Sequence, residues 1–82
     1  MDKTLHNKIE EIIKSSDIVL FMKGTPQEPR CGFSSTVAKI LDILRVKFRS
    51  IDVLEDDHIR EGIKEYSDWP TIPQLYIKGQ FI

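Results

Sequence analysis

One cysteine is all the thiol chemistry that this 82-residue sequence offers. A single thiol closes no intrachain disulfide and builds no ordinary metal cage. Cys31 therefore fits a reducing compartment, and any disulfide it forms must be with another molecule. Net charge is nearly absent as well. The 12 basic and 13 acidic side chains leave −1, so there is no chain-wide footprint for DNA or RNA. The longest apolar run, Ile18 to Met22, is far too short to span a bilayer. "MDKTLHNKIEEIIKSS" has no apolar stretch of the signal-peptide kind, and its acidic residues are of the sort transit peptides avoid. The reading is a cytoplasmic protein without a membrane partner. An organelle-matrix form whose transit peptide had been removed would look the same. His6 and His58 lack ligand spacing to each other or to Cys31. "KGT" at 23–25 is only a fragment of a phosphate-binding loop, which excludes nucleotide binding by that device.

What is present is an ordinary globular composition, 40% hydrophobic and 30% charged. Its length gives one domain over residues 1–82. Leu5, Ile9, Ile12 and Ile13 share one helical face, capped by Asp2 or Thr4. "IVLFMK" is a strand buried on both faces, and "GTPQEPR" is a loop with two prolines. A second helix starts at Gly32 or Phe33 and buries Val37, Ile40, Leu41 and Leu44. "KFRSIDV" is a second strand. The acidic run Glu55-Asp56-Asp57 suits the start of a third helix, which buries Ile59, Ile63 and Tyr66. "WPTIP" ends that helix, "QLYIK" is a strand, and Gly79 turns the chain into "QFI". The order αβαβαββ, with a helix between the first two strands, gives a parallel pair and a closing antiparallel hairpin. The expected fold class is α/β and thioredoxin-like: a small four-stranded mixed sheet with helices on both faces.

A lone cysteine is ordinarily a small buried hydrophobe. Cys31 departs from that in three ways. It directly precedes a helix, where free N–H groups stabilise a thiolate. Its neighbours Arg30 and Gly32 are not core residues, and the preceding strand ends in the cation Lys23. Cys31-Gly32-Phe33-Ser34 is C-x-x-S, a dithiol motif without its second thiol. A hydroxyl cannot resolve a mixed disulfide, so the chemistry needs an external thiol.

"KGTPQEPRCGFS" and "WPTIPQLYIKGQFI" together resemble the CGFS-type monothiol glutaredoxins, and the likeness covers nearly the whole chain. The resemblance implies a glutaredoxin fold, glutathione binding, and a [2Fe–2S] cluster bridging a homodimer that is monomeric when apo. It implies cluster delivery, with iron–sulfur assembly and acceptor proteins and BolA-type proteins as partners. Turnover as an oxidoreductase is weak or absent in this class. Counting agrees: a [2Fe–2S] cluster takes four ligands, usually thiolates. Two chains supply two, and two glutathione thiols supply the rest. Carried over residue by residue, Cys31 is the catalytic thiol and cluster ligand. Lys23 and Arg60 face the glycine carboxylate of glutathione. Gly32 and Phe33 form the rim. Thr71, Ile72 and a cis Pro73 pair with its cysteinyl part, and Trp69 stands beside the pocket. The family continues after "GQFI" with a glycine-rich turn, an acidic residue and a final helix. Their absence implies a domain truncated at its C-terminus. The alternative is a glutathione-dependent thiol–disulfide oxidoreductase acting on mixed disulfides. A third reading is a redox-sensing adaptor without turnover.

Overall fold

The computed structural model describes all residues, 1–82. Helix α1, Lys3–Lys14, starts where Asp2 accepts a hydrogen bond from the Leu5 N–H at 2.8 Å, a side-chain cap on an orphan amide. Strand β1, Ile18–Met22, follows, then α2, Gly32–Ile43, and β2, Arg49–Asp52. Helix α3 spans Asp57–Ser67, and β3, Gln74–Ile77, turns into β4, Gln80–Phe81. The sheet order is β2-β1-β3-β4, with β1 and β2 parallel and the other pairs antiparallel. Lys78 and Gly79 both adopt positive φ in the two-residue connection between β3 and β4. That backbone matches the twist of the flanking strands.

Alternation along β1 divides the core. Val19 and Phe21 face α1 and α3, packing with Ile9, Ile13, Ile59, Ile63 and Tyr76. Leu20 and Met22 face α2 and pack with Ala38 and Leu41. Both faces of the central strand are covered, which is why its sequence is continuously apolar.

Two expectations need correction. Helix α2 buries Leu41 as expected, but together with Ser34 and Ala38; of the rest of the expected stripe Val37 is half-buried, while Ile40 is 51% and Leu44 63% exposed. The helix meets the sheet through Ser34, Ala38 and Leu41, with Val37 beside them, and the two small residues permit close approach, so Ile40 and Leu44 lie outside the contact. Strand β2 is also shorter than "KFRSIDV". Lys47 and Phe48 precede it, and Val53–Glu55 form a 3-10 turn. Asp52 causes the turn by accepting from the Leu54 N–H at 3.0 Å, curling the chain before a further strand residue can pair.

Helices α1 and α3 touch closely at Gly62. A Cβ there would meet Ile9 Cδ1 at 2.8 Å and Leu5 Cδ2 at 3.1 Å. Gly62→Val should therefore cost about 1–3 kcal/mol through overpacking, read as a lower midpoint in urea denaturation.

Candidate functional site

The end of β1 and the start of α2 meet at one side of the molecule. Cys31 is the N-cap of α2, with the extended backbone of a cap residue at φ −153° and ψ 135°. As a neutral thiol it closes no cap hydrogen bond, so the first amides of α2 stay available to a thiolate. The Ser34 amide, then the Phe33 amide, pull the thiol below its ordinary value of 9.0. Partial burial opposes them, and the Ser34 hydroxyl and the Lys23 ammonium add smaller pulls in the same direction. The helix terminus thus does more than the cation.

The loop before Cys31 is pinned on itself. Arg30 N–H donates to the Lys23 carbonyl at 2.9 Å, and Thr25 and Glu28 exchange backbone hydrogen bonds at 3.2 and 3.1 Å. Gly24 sits at φ +87°, and a Cβ there would collide with the Glu28 carbonyl and the Arg30 amide. Glycine is required at that position by both conformation and space.

Across from Cys31 runs the segment 69–73. The Ile72–Pro73 peptide bond is cis, as the resemblance implies. Gln74 tethers the segment from below. Its Nε2 donates to the Trp69 carbonyl at 3.2 Å and to the Thr71 carbonyl at 3.3 Å, and its Oε1 accepts from the Tyr76 hydroxyl at 3.0 Å. Gln74 and Tyr76 are both 1% exposed. The polar network is therefore buried and nearly satisfied, which makes it rigid.

Between these walls lies a cleft of about 680 Å³ lined by Lys23, Cys31, Phe33, Thr36, Val37, Lys64, Pro70, Thr71, Ile72 and Pro73. Six residues singled out from the sequence come together there: Lys23, Cys31, Phe33, Thr71, Ile72 and Pro73. Phe33 stands out at the rim, 78% exposed. Three others do not line the cleft. Gly32 begins α2 with open space where a Cβ would be. Trp69 is 53% exposed, packs near Phe81, and lines a shallower depression with Lys64, Glu65, Asp68 and Pro70. Arg60 is half-buried on α3, with its Nε buried and unpartnered.

Sequence reasoning missed Thr36, Val37, Lys64 and Pro70. Lys64 matters most, because it brings a second ammonium into the cleft. It also pairs with Glu61 at 3.2 Å. The signal was present: Arg60 and Lys64 are spaced i, i+4 on α3, hence on one side of the helix.

A thiol held at a helix N-terminus, facing a cis-proline segment across a cleft with two ammonium groups, is a thioredoxin-like site. Comparison with known proteins places it more closely. The glutaredoxin family profile matches residues 18–82. The chain belongs to the glutaredoxin family. Within it, the C-x-x-S thiol marks the monothiol class. Monothiol glutaredoxin-S17 of Arabidopsis thaliana is 51% identical over 81 residues, covering 99% of this chain and 17% of that protein. The solution structure of a monomeric truncated mutant of Trypanosoma brucei 1-C-Grx1 superposes with a TM-score of 0.84 at 43% identity. That match covers 94% of this chain and 70% of that one. A buckwheat glutaredoxin–glutathione complex also superposes at 0.84, with 25% identity over 98% of this chain and 71% of its own. This glutaredoxin domain is thus similar to much longer proteins as well as to single domains.

Proposed function

We propose that this glutaredoxin domain binds glutathione in the Cys31 cleft and, as a homodimer, carries a bridging [2Fe–2S] cluster for delivery to acceptor proteins. The observation that carries the reading is the donor set of the cleft. One thiol held below its ordinary value by the α2 amides shares the cleft with two ammonium groups, Lys23 and Lys64. Glutathione is a tripeptide with two carboxylates and a thiol, and charge-assisted donors suit its carboxylates. Arg60 stands one helical turn from Lys64 on α3, outside the cleft lining. The Ile72 backbone offers an edge to which an extended peptide can pair. Trp69 and Gly32 then border the bound tripeptide rather than hold it. The buckwheat complex supports the class of ligand.

No three His, Cys, Asp or Glu side chains of the chain stand together as a metal site. Cys31 can therefore hold a cluster only with thiols from outside the chain. Two protein thiols and two glutathione thiols meet the count of four. The cluster is cargo here, and the residues of the chain bind glutathione, present the thiolate and keep the site on rigid elements. Cluster-assembly proteins, acceptor apoproteins and a BolA-type protein complete the proposed partnership, in the cytoplasm or an organelle matrix.

The lowered Cys31 value also supports a second reading, a glutathione-dependent oxidoreductase. There the Cys31 thiolate attacks the glutathione sulfur of a mixed disulfide, and the substrate thiol leaves as its thiolate. A second glutathione thiolate then releases Cys31 and forms glutathione disulfide. Ser34 cannot resolve the intermediate, so the second glutathione is obligatory.

Anaerobic reconstitution with iron, sulfide and glutathione, followed by visible absorption and gel filtration, tests the first reading. A coloured dimer that requires glutathione is expected. A colourless monomer would sink the carrier. Steady turnover of a small mixed disulfide without colour would promote the second reading in its place.

A further inference from the structure

The ladder of β1 ends at Met22, opposite Asp52. The next two amides leave the sheet, yet side chains from two other elements take them up. Lys23 N–H donates to Ser34 Oγ at 3.1 Å, and Gly24 N–H donates to Asp52 Oδ1 at 2.9 Å. The same Asp52 oxygen accepts from the Leu54 N–H at 3.0 Å. Ser34 is fully buried on α2, and Asp52 ends β2. Neither residue lines the cleft, but Lys23 and Cys31 both do.

We propose that Ser34 and Asp52 form a clamp on the Lys23–Gly24 backbone and so fix the bearing of the Lys23 ammonium relative to the Cys31 thiol. Both are positioning residues. The inference rests on reading the cleft as a working thiol site, and it does not depend on which thiol compound the cleft receives. A lysine ammonium is a point charge on a flexible four-carbon stem. It reaches a defined place only if its backbone is fixed, because the stem adds enough freedom of its own. Here the backbone is gripped from two sides just where β1 gives way to a loop. Ser34 couples Lys23 to the helix that carries the thiol. A hydroxyl can accept from the Lys23 amide while donating elsewhere, and its own proton is free to turn toward the Cys31 sulfur. A second thiol in its place would be a weak acceptor, so the serine of C-x-x-S serves as a latch as well as a missing resolving thiol. Asp52 couples the next amide to the 3-10 turn after β2. Asp52 makes no hydrogen bond or ion pair with the thiol or the Lys23 side chain, and its hydrogen bond toward the site is the one to the Gly24 amide.

That separation makes Asp52 the probe. The rate of Cys31 alkylation by iodoacetamide is measured against pH on the 82-residue chain, without glutathione or iron. Asp52→Ala should remove only the Lys23 share of the pull on the thiol, which is smaller than that of the α2 amides, so the profile should move slightly to higher pH and alkylation at pH 6.5 should slow by up to about twofold. Asp52→Asn keeps an acceptor oxygen and should restore the parent profile. In a Lys23→Met background the Asp52→Ala effect should vanish, since coupled residues are non-additive. Superimposed profiles for parent and Asp52→Ala, with only the melting temperature lowered, would show a merely structural role and overturn the clamp. So would a shift that persists undiminished in the Lys23→Met background. Should Asp52→Ala fail to fold, hydrogen exchange on the parent decides instead. Lys23 and Gly24 amides protected like those of β1 support the clamp, and exchange at open-loop rates refutes it. Because none of these measurements uses glutathione, a parent that fails to bind glutathione yet keeps the Asp52 shift retains the clamp and loses only the glutathione reading.

Discussion

Cys31→Ser should abolish glutathione-dependent chemistry and all cluster colour, and yet yield a more stable protein. The loss follows from the inventory: no other thiol exists to attack a disulfide or to ligate iron. The gain follows from position. Cys31 has N-cap backbone geometry but closes no cap hydrogen bond, whereas serine is among the best cap residues. Its hydroxyl can accept from the amides that the neutral thiol leaves idle. A cap of this kind should raise the melting temperature by roughly 4–8 °C in a domain of this size. The advantage depends on pH. The folded thiol titrates below its ordinary value of 9.0, chiefly through the Ser34 and Phe33 amides. The parent therefore gains stability as pH rises through the folded value, and the gain is complete above the unfolded one. It is lost again as pH falls through the folded value. Calorimetry at a series of pH values should show the serine variant furthest ahead in acid and the gap narrowing toward pH 9. A variant less stable than the parent at every pH would mean that the α2 terminus does not act on the sulfur as described.

Much of this architecture was legible because it is local. Apolar periodicity located three helices and the central strand, Asp2 and the acidic run at 55–57 marked two helix starts, and Gly79 marked the hairpin. The family motifs placed Cys31, Lys23 and the cis Ile72–Pro73 bond. What escaped depends on contacts distant in sequence. The true buried face of α2 is set by Ser34 and Ala38, which a hydrophobic stripe does not reveal, because close approach selects size rather than apolarity. The early end of β2 reflects one carboxylate, Asp52, taking amides from both sides of it in sequence. Lys64 reads as a solvated helix residue until α3 is docked beside the cleft. Arg60, which the motif put at the site, falls one turn outside the cleft lining for the same reason.

Gln74 is the residue whose importance the sequence hid most completely, since a polar residue at a strand start reads as surface. Gln74→Leu should cost about 1–3 kcal/mol, because it removes the acceptor of the buried Tyr76 hydroxyl, leaving it only Ser67, and frees the Trp69 and Thr71 carbonyls. Against the total stability of a small domain, that is a large share. The two consequences can be separated. Burial already pushes the Tyr76 phenol up to about 12, so the hydroxyl stays protonated and needs an acceptor at any neutral pH. Removing it as well, in Gln74→Leu/Tyr76→Phe, leaves no buried hydroxyl short of its acceptor and should recover most of the stability, since deleting both partners of a buried hydrogen bond is nearly neutral. The tether to the 69–73 segment stays broken in the double variant. Thr71, Ile72 and Pro73 line the cleft, so glutathione affinity by calorimetry should remain at least about threefold weaker even with stability restored. Recovery of both together would mean that Gln74 serves only the core. Recovery of stability alone makes it the support on which one wall of the cleft stands.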